Sequence, residues 1–183
     1  MKKKIIFIVI LICVLAAAAF LFIRHTMPGN KNADTEAEMS RTAQDSIVCV
    51  YYANTFLSMD RDGYVCANTS SRPEGIPSAE GLDFTSITFG KQAQCSQNGA
   101  LEYVLKVALD LSKQGISIDK ILYSDRMITL YKGGLEIQLG KNEKTDEKIS
   151  DLNNFIDQLE YQSGTLYMQN ANANNYGYTF RRK

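Results

Sequence analysis

The sequence predicts an α+β fold, with two helices against an antiparallel β-sheet, carried behind a single N-terminal transmembrane helix and a flexible tether. Three observations predict it. Ile5 to Ile23 is an apolar run of 19 residues without a charge. Ile128, Leu130, Leu135, Ile137 and Leu139 alternate with polar neighbours, the period of a strand with one buried face. Two further stretches repeat apolar residues at three and four, the period of a helix with one buried face.

The apolar run spans roughly 28 Å as a helix, about the thickness of a bilayer core. Ala16 to Ala19 offer small residues for a signal-peptide cleavage, but the run continues through Phe20, Leu21, Phe22 and Ile23, longer than a usual signal segment. Cys13 follows Ile12, where a lipoprotein signal needs a small residue. Lys2, Lys3 and Lys4 precede the span and Arg24 alone follows it closely, so the N-terminus is expected in the cytoplasm and the rest outside. Residues 1–23 form the tip and anchor in this reading, 24–45 a polar tether, and 46–183 one extracytoplasmic domain.

With 20 basic and 20 acidic residues the formal net charge is zero, which removes the electrostatic case for nucleic acid. Cys49, Cys66 and Cys95 are odd in number and irregularly spaced, which fits small buried hydrophobes or one optional bridge rather than a disulfide framework, zinc or redox site.

Along the domain, Ile47 to Val50 and Phe56 to Met59 read as short strands, and Asp60-Arg61-Asp62-Gly63 as a turn with Gly63 at positive φ. Asn68 to Gly81, with Pro73, Pro77 and Gly75, reads as a loop. Leu101, Val104, Leu105, Ala108 and Leu111 mark a helix that Gly115 closes. Ile116, Ile118 and Ile121 to Tyr123 make the next strand, and Lys132-Gly133-Gly134 turns between the following two. Ile149, Leu152, Ile156 and Leu159 mark one second helix, ending before Gly164. Thr165 to Gln169 and Tyr176 to Phe180 read as closing strands joined by the Asn-rich segment 170–175.

Reactive side chains are scarce. His25, the only histidine, sits at the membrane surface, so a triad or histidine metal site lacks partners. Ser58 in Leu57-Ser58-Met59-Asp60 carries only a fragment of a nucleophile signature: a signal-peptidase-type serine hydrolase places a serine before methionine, but no Pro-Thr follows and no downstream block supplies the lysine. Asp60 with Asp62, and Asp146 and Glu147 with Asp151, read as solvated carboxylates without a calcium loop or acid/base pair. No catalytic residue, cofactor or metal is expected. An extracytoplasmic sensor or ligand-binding domain is the other alternative, and it requires an enclosed apolar pocket. Tyr161, Tyr167, Tyr176 and Tyr178 crowd the C-terminus, where aromatic side chains either cover a sheet or anchor a partner.

Met59-Asp60-Arg61-Asp62-Gly63-Tyr64-Val65, then Ile76-Pro77 with Gly81-Leu82, the Leu139-Gly140 stop, a helix led by Lys148 through Leu152, and the Gly164 to Met168 strand follow in order. In order and spacing they resemble the C-terminal β domain of the FtsQ/DivIB bacterial cell-division proteins, over about Ile47 to Phe180. That family usually carries a POTRA domain before the β domain, and Arg24 to Ser46 is too short for one. The resemblance implies a bitopic divisome scaffold in the plasma membrane, supporting septum formation by binding DivIC/FtsB-like and FtsL-like proteins, with no reaction and no small-molecule substrate. It also implies a partner-binding edge strand, here Tyr167, Tyr176, Tyr178, Thr179 and Phe180, reached by strand addition. Thr179 is a test position for it, where proline weakens capture if its N–H points outward.

The expected topology is checked with a tag after Lys183, which external protease should remove from intact cells. Soluble protein starting near Phe20 overturns the anchor.

Overall fold

The computed structural model describes residues 43–159, 161–169 and 177–183. The expected anchor and the tether through residue 42, with Cys13 and His25, lie outside them, and no helix among the described residues is long and apolar enough to cross a membrane. The end of the expected tether, Ala43–Asp45, is a single 3-10 turn.

Strands β1 (Val48–Tyr52) and β2 (Thr55–Met59) pair as a hairpin with Val48 opposite Met59. Ala53 and Asn54 between them stand at φ 48° and 65°, the two-residue turn whose twist matches that of the strands. The following turn has Gly63 at φ 80°, as expected. Asp60 corrects its reading as a solvated carboxylate: it is 5% exposed, and its Oδ1 accepts the N–H groups of Asp62 and Tyr64 at 2.9 Å each. A carboxylate that caps its own turn is needed inside it.

The stretch from Asn68 to Gly81 is not all loop. It holds the end of β3 (Val65–Thr69) and all of β4 (Ser78–Glu80), a central strand. Pro77 accepts the Cys49 N–H at 2.9 Å, and Ser78 donates to Asp119 at 3.0 Å. Three residues between a proline and a glycine carry too little periodicity to be read as a strand, yet Ala79 is buried between two neighbours. Gly81, at φ 82°, lies so close to the Tyr123 carbonyl that any Cβ would collide with it. β5 (Phe84–Ser86) and β6 (Gln94–Cys95) form a separate two-stranded ribbon.

Helix α1 (Ala100–Lys113) buries the predicted face of Leu101, Val104, Leu105, Ala108 and Leu111. It stops as predicted at Gly115, φ 69°: Ile116 N–H reaches Leu111 at 3.0 Å and Gly115 N–H reaches Ser112 at 3.1 Å, a Schellman closure. β7 (Lys120–Ser124), β8 (Met127–Lys132) and β9 (Leu135–Gly140) form the predicted meander, although Ile116 and Ile118 are buried ahead of β7 rather than within it. The single helix expected through Leu159 is two, α2 (Thr145–Asn153) and α3 (Ile156–Leu159). Asn154 and Phe155 donate three residues back, to Asp151 and Leu152, tightening the chain where Asn153 and Asn154 favour a turn over continued helix. β10 (Gly164–Tyr167) and β11 (Thr179–Arg182) complete the sheet. The last strand therefore starts three residues later than expected.

The main sheet runs β11-β10-β9-β8-β7-β4-β1-β2-β3. It is mixed and not antiparallel, because β1/β4, β4/β7 and β9/β10 pair in parallel. Helices explain two of these pairs: α1 lies in the connection from β4 to β7 and α2–α3 in that from β9 to β10, and a helical crossover returns the chain in its starting direction, whereas β1 reaches β4 through the strands β2 and β3. Ile121, Ile128, Leu130, Leu135, Ile137, Leu139 and Leu166 face these helices in one core.

Two side chains close the end of β9. Tyr103 of α1 donates to the Gly140 carbonyl at 2.9 Å, and Lys148 of α2, 3% exposed, donates to the Leu139 carbonyl at 2.9 Å. Lys148 thus lies within α2 rather than leading it. Burial pushes the Tyr103 hydroxyl up to about 12, opposed by a hydrogen bond from Thr145. Burial lowers the Lys148 ammonium, opposed by the Glu143 charge. Folded Tyr103 holds its proton more tightly than the unfolded chain, so its contribution is present below about pH 10 and is lost as pH rises through about 12. Lys148 works oppositely: its folded form binds a proton less tightly, so stability rises with pH toward the ordinary lysine value of about 10.4. Urea midpoints across this range should lose the rise in Lys148→Met and the fall in Tyr103→Phe. At neutral pH, Tyr103→Phe should cost about 1–3 kcal/mol by orphaning the Gly140 carbonyl.

Candidate interaction edge at β11

β10 and β11 pair with Gly164 opposite Arg182, Thr165 opposite Arg181, Leu166 opposite Phe180 and Tyr167 opposite Thr179. No strand of the described residues lies beyond β11. The other end of the sheet is partly covered, since Val65 of β3 donates to Lys91 at 3.0 Å and accepts from Gly90 at 2.8 Å.

The direction of each backbone group at β11 follows from its neighbours. Gly164 and Met168 N–H groups point to β9, reaching Gly134 at 3.2 Å and Gln138 at 3.0 Å. Alternation turns the Thr165 and Tyr167 N–H groups toward β11. Lys183 N–H reaches Ser163 at 3.1 Å, so every second pair is hydrogen-bonded: Ser163 with Lys183, Thr165 with Arg181, Tyr167 with Thr179. Thr179 and Arg181 therefore spend their backbone groups on β10. Phe180 and Arg182 direct theirs outward. Proline at Thr179 would break an internal bond, which makes position 182 the cleaner probe of the edge.

The residues singled out in the sequence separate by face. Tyr178 and Phe180 pack on the core side. The Phe180 ring covers Gly164 so closely that its Cζ would stand 2.6 Å from a Cβ there. The Tyr178 hydroxyl donates to Asp151 Oδ2 at 2.6 Å, and its ring lies 6.0 Å from that of Phe155. Tyr167 belongs to β10, one strand inward, and Arg181 sits over its ring at 5.4 Å. Thr179 is exposed, while Tyr176 falls outside the described residues. Pattern reading missed Asp151, Phe155, Arg181 and Arg182; the alternation through Phe180 extends to Arg182, but nothing in the sequence links Asp151 to Tyr178.

On the face away from the helices, Lys120, Tyr131, Glu136, Thr165 and Arg181 stand in register across five strands. Lys120 Nζ lies 4.6 Å from the centre of the Tyr131 ring and Lys183 Nζ lies 3.7 Å from Glu136. Lys120 also pairs with Glu80 at 3.2 Å.

Ser58 is 1% exposed, in the middle strand between Cys49 and Ala67, and its Oγ has no hydrogen-bond partner. A general base must lie within hydrogen-bond reach of its nucleophile, and none does so here. Cys49, Cys66 and Cys95 are free thiols, the first two buried. Burial raises the Cys49 thiol and pushes Cys95 up to about 11, away from thiolate reactivity. No cluster of metal-ligating side chains occurs among the described residues. An open cleft of about 790 Å³ beside α1, lined by Leu101, Leu105, Leu109 and Glu102, has Lys106 and Asp110 paired at its rim at 2.8 Å.

No protein-family model matches this sequence, and no curated protein matches it.

Ser58→Ala should stabilise the fold by about 1 kcal/mol, read as a higher urea midpoint, because it removes a buried hydroxyl that has lost water without gaining a partner. A fluorophosphonate probe should leave the folded parent unlabelled at Ser58. Labelling there would restore the hydrolase reading.

Proposed function

We propose that this chain is a bitopic, membrane-anchored scaffold of FtsQ/DivIB type, whose extracytoplasmic domain binds DivIC/FtsB-like and FtsL-like division proteins by adding a strand at β11. The observation that carries the reading is the outward backbone of Phe180 and Arg182 on a strand paired on one side only among the described residues. Such an edge offers donors and acceptors spaced for an extended segment, while neighbouring side chains choose the segment. The order of sequence landmarks supports the family, and the apolar run Ile5 to Ile23 with its flanking lysines supports the anchor and its orientation. The burial of Ser58 and the raised thiols favour binding over covalent chemistry.

The test compares two substitutions at one position. Arg182→Pro removes the outward donor, whereas Arg182→Ala removes the guanidinium, with its 3.2 Å hydrogen bond to Gln162, and keeps the backbone. Binding to the purified DivIC/FtsB-like protein from the same cell should fall about tenfold or more for Arg182→Pro relative to Arg182→Ala, the scale of one or two backbone hydrogen bonds, with melting unchanged. Equal binding by both variants overturns docking at β11.

A further inference from the structure

We infer that the hydrogen bond from Tyr178 to Asp151 is a latch that seats β11 on β10 and so controls the edge assigned above as the docking strand. This rests on that reading and adds how the strand is kept ready. β11 has four residues and, among the described residues, a neighbour on one side only, so its own ladder is short. An isolated pairing of that length is marginal in water. Side chains on its inner face add to its hold on the domain. Phe180 covers Gly164, and Tyr178, immediately before the strand, meets α2 through Asp151 and the turn into α3 through Phe155.

The geometry gives Asp151 a specific part. It lies one helical turn beyond Lys148, which fixes the same helix to the end of β9. α2 therefore joins two attachments: Lys148 to the Leu139 carbonyl and Asp151 to the Tyr178 hydroxyl. The second is a short charge-assisted bond of 2.6 Å, stronger than one between neutral groups. Asp151 and Tyr178 are positioning residues in this arrangement, since the backbone that meets a partner is that of Phe180 and Arg182.

Hydrogen exchange on the full chain in detergent micelles reads the latch directly. Thr179 and Arg181 donate inward to β10, as Thr165 and Tyr167 donate to β11, so these four amides report whether the strand is seated. Tyr178→Phe and Asp151→Ala should each speed their exchange about tenfold while leaving Ile128 and Leu130 at the parent rate. Asp151→Asn keeps an acceptor but loses the charge, so its exchange should fall between those of the parent and Asp151→Ala. The double variant Tyr178→Phe with Asp151→Ala should be no faster than either single one, because both remove one interaction. Partner binding should weaken by a similar factor in the two single variants and recover in part in Asp151→Asn.

Unchanged exchange at the four amides, or fully additive effects in the double variant, overturns the latch. Faster exchange with unchanged partner binding supports the latch and overturns docking at β11, so the two readings fail separately.

Discussion

Helices α1, α2 and α3 share one core with one face of the nine-stranded sheet, and the register of the strands follows from that burial. Val48, Met59, Ile121, Leu130, Ile137 and Leu166 come from six strands yet share one core with α1 and α2. Fully burying one such side chain contributes about 1.5–3 kcal/mol, and a one-residue slip in any strand would send its whole set to the wrong face. Register is thereby pinned at each hairpin, including those whose turns use Ala53-Asn54 and Asp125-Arg126 at positive φ in place of glycine. The burial energy of the flanking strands outweighs the strain of those turns.

At β11 the same alternation divides the work of each residue. Side chains stand perpendicular to the sheet and backbone groups lie within it, so the ring of Phe180 can anchor to Gly164 while its amide faces outward. Binding by backbone at this edge requires only that the strand be held in place. Tyr178 and Phe180 therefore matter as the means of holding it, and the exposed side chains of the strand are Thr179, Arg181, which lies over the Tyr167 ring, and Arg182, which reaches Gln162.

Buried polar groups show where satisfaction decides stability. Lys148 and Tyr103 lose water but each gains a carbonyl at the end of β9, so an amine and a hydroxyl can be held inside the core. Ser58 has lost water without a partner, and its hydroxyl is a cost that the surrounding strands carry. The same environment that makes Ser58 expensive also leaves it without the base a nucleophile requires.

Much of the secondary structure was determined locally and was legible as such. The period of α1 and its Gly115 stop, the alternation through β8 and β9 and the glycine turns follow from neighbours in sequence, because helix caps and hairpins are short-range. β4 and the break between α2 and α3 were not legible: a three-residue strand has no period of its own, and the break is a local turn inside an otherwise continuous apolar repeat. Parallel pairing was decided by the crossovers, which set which end of the sheet the chain returns to. At the candidate site, the sequence by itself located a closing strand with Thr179 and Phe180 on it, while Tyr167 stands one strand inward and Tyr178 just ahead of it. Only the tertiary structure decided which backbone groups face outward and that Asp151 meets Tyr178, because hydrogen-bond phase depends on the neighbouring strand and contacts 27 residues apart leave no local pattern.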